Sequence, residues 1–216
     1  KCRGLFVCPT ASGKSLIIYG LTRWCHDKNL KTLILVPTTS LVEQMATDFI
    51  DYGWLDAYIQ KIYSGHEKKV TKDVVISTWQ SIYKFPKKYF EQFGCVIGDE
   101  AHLFKAKSLT SIMSKLHLCK YRFGLTGTLD DLQTHKLVLE GLFGTVNKVI
   151  STKELIEKKT LANLKIDSLI LGYKEQECKD VKNLKYADEM DYIVTHKKRL
   201  SFITNLLGNV KGNVLV

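Results

Sequence analysis

The stretch Gly4-Leu5-Phe6-Val7-Cys8-Pro9-Thr10-Ala11-Ser12-Gly13-Lys14-Ser15 decides the fold. Its first five residues are an unbroken apolar run, the pattern of a strand buried on both faces. Pro9 stops the run, and small residues carry the chain to Gly13. Beyond Ser15, the side chains of Leu16, Ile17, Tyr19, Leu21 and Trp24 supply the apolar faces of a helix over residues 15–28. A strand–loop–helix unit ending Gly-Lys-Ser has the parts of a phosphate cradle. Backbone N–H groups of Ala11, Ser12 and Gly13 turn inward, Lys14 reaches the outer phosphates, and the Ser15 hydroxyl faces a magnesium ion. Thr10, Ala11, Ser12, Gly13, Lys14 and Ser15 are the candidate nucleotide-binding residues. The strict pattern G-x-x-x-x-G-K-[ST] places a glycine where this chain has Cys8.

A second motif, Asp99-Glu100-Ala101-His102, also follows an apolar segment, residues 93–97. Its carboxylates suit separate tasks. Asp99, leaving the strand, shares with Ser15 the holding of magnesium, and Glu100 orients and deprotonates a water. His102 is placed for a hydrogen bond that reports nucleotide state. Asp99, Glu100 and Lys14 are the candidate catalytic residues, with ATP and Mg2+ as the implied ligands.

Between and after these motifs, strands alternate with helices. Strands are expected at 32–36, 58–63, 73–77, 95–97 and 122–125, and helices at 41–52 and 109–116. Farther on, helices are expected at 135–143 and 153–158, extended chain at 146–150, and an alternating strand at 164–171. The alternation indicates an α/β fold with a mostly parallel sheet flanked by helices. Such sheets bind ligands at the carboxyl ends of their strands, where every motif here falls.

The 216 residues carry a formal net charge of +10, which raises the expectation of a polyanionic partner. Lys61, Lys68, Lys69, Lys72, Lys84, Lys87 and Lys88 are expected in loops around the strand ends, as phosphate contacts. Six cysteines without a C-x-x-C pair exclude metal-ligand spacing, so no structural metal is expected. They fit a reduced, cytoplasmic setting. No apolar stretch approaches ~20 residues and no signal-peptide pattern opens the chain, so no membrane partner is expected. The chain begins at Lys1 and ends in the apolar run Asn213-Val214-Leu215-Val216, and it is expected to be a fragment of a longer protein.

Gly13-Lys14-Ser15, Asp99-Glu100-Ala101-His102 and Thr126-Gly127-Thr128 resemble motifs I, II and III of superfamily 2 helicases, in that order. Val36-Pro37-Thr38-Thr39-Ser40-Leu41-Val42-Glu43-Gln44 resembles motif Ia, and Ile76-Ser77-Thr78-Trp79-Gln80-Ser81 the next DNA-contacting segment. With Phe93-Gly94 and Phe123-Gly124-Leu125, the chain most resembles phage recombination helicases of the DEAH type, over residues 4–171.

That resemblance implies a RecA-like P-loop motor domain over 1–172. Residues 173–216 would be a connector helix and the first strand of a truncated second RecA-like domain. It implies an ATP-dependent DNA helicase of recombination and repair, moving 3′ to 5′ on branched and single-stranded DNA. A second motor domain in cis and a phage-infected or bacterial host cytoplasm go with it. By the same resemblance Pro37, Thr38 and Thr39 contact the DNA backbone, and Ser64, Gly65, Thr78, Trp79 and Gln80 lie along the same strand's path. His102, Thr126 and Thr128 couple hydrolysis to movement. Thr39 fits simple turn chemistry nearly as well, and Trp79 a core aromatic equally well.

The chain departs from the family pattern at Ala11, which stands for a glycine. It contains neither the upstream adenine-recognition element nor the arginine finger of a second domain. Weak nucleotide binding without unwinding is therefore expected of these residues alone. Three other readings stand beside the leading one: a double-strand or restriction-type translocase, a nucleic-acid-binding module with a degenerate ATPase, and a P-loop kinase or transporter ATPase. Thr126-Gly127-Thr128 and Pro37-Thr38-Thr39 speak against the last.

Overall fold

A computed structural model describes residues 2–129, 133–162 and 167–212. The chain divides into two compact units, 1–163 and 164–216. In the first, β1 (Arg3–Val7) leads through the phosphate loop into α1 (Lys14–His26), followed by β2 (Thr32–Val36) and α2 (Thr39–Asp51). Next come β3 (Ile59–Ile62), β4 (Val74–Thr78), and the short helices α3 (Trp79–Ile82) and α4 (Lys87–Phe90). Strand β5 (Cys95–Gly98) ends at the acidic motif, which continues as a 3-10 turn (Ala101–Lys105). Helix α5 (Lys107–Lys115), β6 (Tyr121–Thr126), α6 (Gln133–Phe143), β7 (Val146–Lys148) and α7 (Thr152–Glu157) complete the unit.

The seven strands form one sheet in the order β3-β4-β2-β5-β6-β1-β7, and every pair is parallel. Both faces are covered. Leu33 and Leu35 of β2 join Leu5, Val75, Val96, Phe90 and Phe104 in one apolar layer. The alternate residues Ile34 and Val36 join Ile18, Phe49, Ile76, Ile97 and Leu125 in the other. Burial of successive side chains on opposite faces is why these strands read as unbroken apolar runs.

The second unit is helical, with α8 (Glu175–Val181), α9 (Tyr186–Thr195) and α10 (Lys197–Asn209). The Tyr173 and Tyr192 rings lie 5.0 Å and 5.3 Å from the His196 ring, and Lys198 Nζ lies 3.5 Å from a Glu177 carboxylate oxygen. Two expectations change here. The strand anticipated at 164–171 is absent from 167–171, which have no regular structure; the remainder lies at or beside residues outside the described set. Alternation supplies a strand with a face, but the helical unit offers it no ladder partner. The charged stretch from Lys174 to Asp191 holds α8 and the start of α9. The terminal strand expected at 213–216 lies outside the described residues.

One glycine joins fold to site. A Cβ at Gly98, the last residue of β5, would sit 2.5 Å from Cζ of the buried Phe104 ring. That ring seats the turn carrying His102. Gly98→Ala is expected to overpack this contact and destabilise the domain by about 2 kcal/mol. Urea unfolding followed by circular dichroism reads it as a lowered midpoint.

Candidate nucleotide site and nucleic-acid interface

The phosphate loop leaves β1 at the sheet's carboxyl edge, one strand in from β7. Cys8 N–H donates to Thr126 O at 2.8 Å, extending the β1–β6 ladder by one bond, and Ser12 N–H donates to Pro9 O at 3.1 Å. Gly13 adopts a left-handed conformation (φ 81°) as the N-cap of α1, with no side-chain cap. The first N–H groups of α1 thus face outward without an intrahelical acceptor, and the helix dipole adds to their pull on anions. Ser12 Oγ is buried and meets no hydrogen-bond partner. Beside it lies the Cys8 thiol, a weak donor and acceptor whose pKa is raised, chiefly by burial. The Ser12 amide is turned to Pro9 and not inward as expected, but the buried hydroxyl beside the free first-turn amides of α1 suits a phosphate oxygen. Ala11 also sits at positive φ (63°), which strains a residue with a Cβ. A glycine there, as in the family pattern, would be unstrained.

The sheet order places β6 between β1 and β5, so three sequence-distant motifs meet at one edge. Lys14 Nζ donates to Glu100 Oε1 at 2.9 Å. The other carboxylate oxygen, Oε2, lies 3.3 Å from His102 Nδ1. His102 Nδ1 is 3.0 Å from Thr126 Oγ1, and Thr126 Oγ1 donates to Thr128 O at 2.7 Å. A hydroxyl has one proton, here given to a carbonyl, so His102 Nδ1 must donate to it. The result is two hydrogen-bonded stretches, Lys14–Glu100 and His102–Thr126–Thr128, that meet where Glu100 Oε2 approaches His102 Nδ1. Glu100 itself is held at φ 49°, ψ 52°, a left-handed conformation costly for a non-glycine residue.

Asp99 is buried, and its Oδ1 accepts from Glu100 N–H at 2.9 Å. Burial pushes its carboxyl above the usual aspartate value, and the neighbouring Glu100 charge adds to this. Its bond to the Glu100 amide, Lys14 and His102 act in the opposite sense. A buried carboxylate with lone pairs to spare fits a hard divalent cation. The Ser15 hydroxyl lies 3.0 Å from the Tyr52 hydroxyl, a contact with no signal in the sequence. At the same edge a cavity of about 400 Å³ opens between Val7, Pro9, Gly127 and residues 148–154.

The residues expected to face DNA gather at the carboxyl ends of β2, β3 and β4. Thr38, exposed, caps α2 by accepting from Leu41 N–H at 3.3 Å. Thr39 is exposed on the first turn of α2. Pro37 O accepts from the Gln80 amide at 3.5 Å, joining the two segments. Ser64 and Gly65 (φ 87°) are exposed beyond β3. Thr78 is buried with its hydroxyl on Ser81, and Trp79 packs partly into the core. A cluster that the sequence did not announce supports this edge. Glu43 of α2 accepts from Lys61, at 2.8 Å, and from the Tyr63 hydroxyl, bracing the chain that leads to Ser64. Both bonds, the Lys61 one first, pull the Glu43 carboxyl below its ordinary pKa.

Of the seven lysines expected in loops at these strand ends, Lys68, Lys69, Lys72 and Lys84 lie in loops and three do not. Lys61 lies within β3 on Glu43, and Lys72 donates to Asp56 O and Ile59 O at the opposite end of the strands. Lys87 and Lys88 lie on α4. Parallel strands force each connection back to the amino edge, so loop lysines are divided between the two edges.

Residues 1–131 match the family described as type III restriction enzyme, res subunit. The chain is 40% identical over 204 residues to the ATP-dependent DNA helicase UvsW of Enterobacteria phage T4, covering 92% of this chain and 41% of that protein. It thus spans about two fifths of that relative's length. A crystal structure of the UvsW helicase from bacteriophage T4 superposes with a TM-score of 0.62 at 42% identity, over 68% of this chain and 54% of that one. The Hef helicase domain from Pyrococcus furiosus shares the fold, with a TM-score of 0.60 at 20% identity, over 68% of this chain and 35% of that one.

Asp99 gives a separable stability effect. Its raised folded pKa means that ionised Asp99 burdens the fold at neutral pH, a burden that shrinks as pH falls through that pKa. Asp99→Asn keeps the acceptor for Glu100 N–H and removes the charge. It is expected to raise the melting temperature by roughly 2–4 °C at pH 7, if about 1 kcal/mol is recovered, and to flatten the acid-side pH dependence. Calorimetry at pH 7 and pH 4.5 measures both.

Proposed function

The chain belongs to the family of the type III restriction enzyme res subunit, and from that premise we propose that it is the ATP-hydrolysing motor domain of a DNA helicase of recombination and repair. The observation that carries this reading is the line of contacts from Lys14 through Glu100 and His102 to Thr126 and Thr128, hydrogen-bonded at both ends and joined by the 3.3 Å approach of Glu100 to His102. It joins the phosphate loop to the water-activating residue and to the β6 loop. The likeness to the T4 helicase, named for ATP-dependent action on DNA, supports the same reading.

ATP is the substrate. The amides of Ala11 and of residues 13–15, with the Lys14 ammonium, bind its phosphates, while the Ser12 amide stays on Pro9 O and its buried hydroxyl gains a phosphate oxygen as partner. Lys14 exchanges Glu100 for phosphate, which frees Glu100 to orient a water and take its proton. Asp99 and Ser15 would hold a magnesium ion, whose charge would neutralise the phosphoryl oxygens. His102 passes the altered state of Glu100 to Thr126 and Thr128. Pro37, Thr38, Thr39, Ser64, Gly65 and Gln80 contact a DNA strand laid across the carboxyl edge, with Thr78 and Trp79 supporting that track from beneath. We assign residues 1–172 to this domain and 173–216 to the connection toward a second motor domain in cis. Branched DNA is the preferred substrate and a host-cell cytoplasm the setting.

Phosphate release, assayed with and without a forked oligonucleotide, tests the reading. Glu100→Gln is expected to lower kcat by about 10²–10⁴. His102→Ala is expected to keep DNA-independent turnover within about threefold and to lose stimulation by DNA, because the line of contacts is cut beyond Glu100. Wild-type protein without turnover in either condition contradicts the assignment.

A further inference from the structure

The amino edge of the sheet, opposite the nucleotide site, carries a row of cations. Consecutive backbone bonds define it: Gly94 N–H donates to Lys31 O, Tyr121 N–H to Gly94 O, and Arg122 N–H to Cys2 O. Lys31, Lys120 and Arg3 thus stand at the starts of β2, β6 and β1. Strand spacing puts Lys31 and Lys120 roughly 10 Å apart and Arg3 about 5 Å farther on. Lys28, just past the end of α1, joins them through an aromatic pair. The Trp24 and Tyr121 rings meet edge to face at 4.9 Å, with Lys28 Nζ 4.6 Å from the Trp24 centroid and Lys120 Nζ 5.5 Å from that of Tyr121.

None of these four cations has a carboxylate within 4.0 Å among the described residues. Asp27 and Asp73 bound the row without pairing with it. By contrast Lys14 and Lys61, at or near the other edge, are paired, and Lys72 and Lys115 are spent on backbone carbonyls. Trp24 is 42% exposed, so part of its ring remains in solvent between Lys28 and Tyr121. Amines spaced along a line neutralise successive phosphates, and exposed rings offer stacking surface to bases.

We propose that this edge is a second nucleic-acid contact, binding the phosphate backbone through Arg3, Lys28, Lys31 and Lys120 with Trp24 as its aromatic platform. The inference rests on the helicase reading and deepens it. One sheet whose two edges both hold nucleic acid can grip two arms of a branched substrate. The strands β2, β6 and β1, which begin at or just after Lys31, Lys120 and Arg3, are five or six residues long, about 17–20 Å. The aromatic faces favour nucleic acid over an acidic protein, which has no bases to stack.

The test is fluorescence anisotropy of the full chain with a labelled forked oligonucleotide between 50 and 200 mM salt. The triple variant K28E/K31E/K120E is expected to bind the fork at least about tenfold more weakly at 100 mM salt. Its plot of log affinity against log salt is expected to flatten by about 2. The milder K28Q/K31Q/K120Q is expected to move in the same direction, and nucleotide affinity to stay unchanged in both. Unaltered affinity and slope in both triple variants overturn the proposal, while T38E, at the other edge, reports separately on the helicase reading. If T38E alone weakens binding, the reading stands and the second contact falls. If the triples alone weaken it, the second contact stands and the carboxyl-edge track falls. If the wild type binds no oligonucleotide, both fall. Competition by polyglutamate as effective as by unlabelled oligonucleotide reassigns the edge to an acidic protein and overturns the proposal.

Discussion

Among the described residues the ammonium of Lys14 has one carboxylate partner, Glu100, at 2.9 Å. Neither side chain is fully exposed, so the pair is worth more than an ordinary surface contact and less than a buried one. It clips the phosphate loop to the acidic motif across the sheet edge. It also occupies both residues that the proposed hydrolysis would use. A γ-phosphate, which brings more negative charge than a carboxylate, is the natural competitor for Lys14. Nucleotide binding and release of the water-activating glutamate are then a single exchange of partners.

The strand order makes that exchange audible elsewhere. Because β6 lies between β1 and β5, Thr126 is within reach of His102 while its strand is bonded to the phosphate loop. Glu100 holds Lys14 with one oxygen and neighbours His102 with the other, so a change at one end alters the charge seen at the other. The backbone is strained at both ends of this linkage, with Ala11 and Glu100 in left-handed conformations. Strain of this kind persists where surrounding structure over-determines it. Here the fixed points are the β1–β6 ladder and the Phe104 ring seated under Gly98.

The sheet and both motifs were legible in the sequence because burial on two faces leaves an unmistakable trace. Strands such as Leu33-Ile34-Leu35-Val36 carry no polar interruption, and turn chemistry brackets each one. That Lys14, Glu100, His102 and Thr126 would come together was legible because each lies in a motif at the end of an apolar run. What stayed hidden depends on contacts between segments. Nothing local announces that Tyr52 meets Ser15, or that Glu43 gathers Lys61 and Tyr63. The lysines between 61 and 88 were placed by proximity in sequence, which cannot tell one edge of a parallel sheet from the other. Short helices such as Trp79–Ile82 carry too few turns for a periodic signal. The strand expected from alternation at 164–171 failed because pairing depends on a neighbour, which no single segment encodes.

The exchange of partners at Lys14 is tested most directly by the nucleotide affinity of Glu100→Gln, measured by titration with a non-hydrolysable ATP analogue. Removing the competing charge leaves Lys14 free, so binding should tighten, by up to about fivefold if the pair contributes near 1 kcal/mol. Equal or weaker binding by Glu100→Gln would mean that Lys14 never had to leave Glu100, and that the ion pair is not what links the two halves of the site.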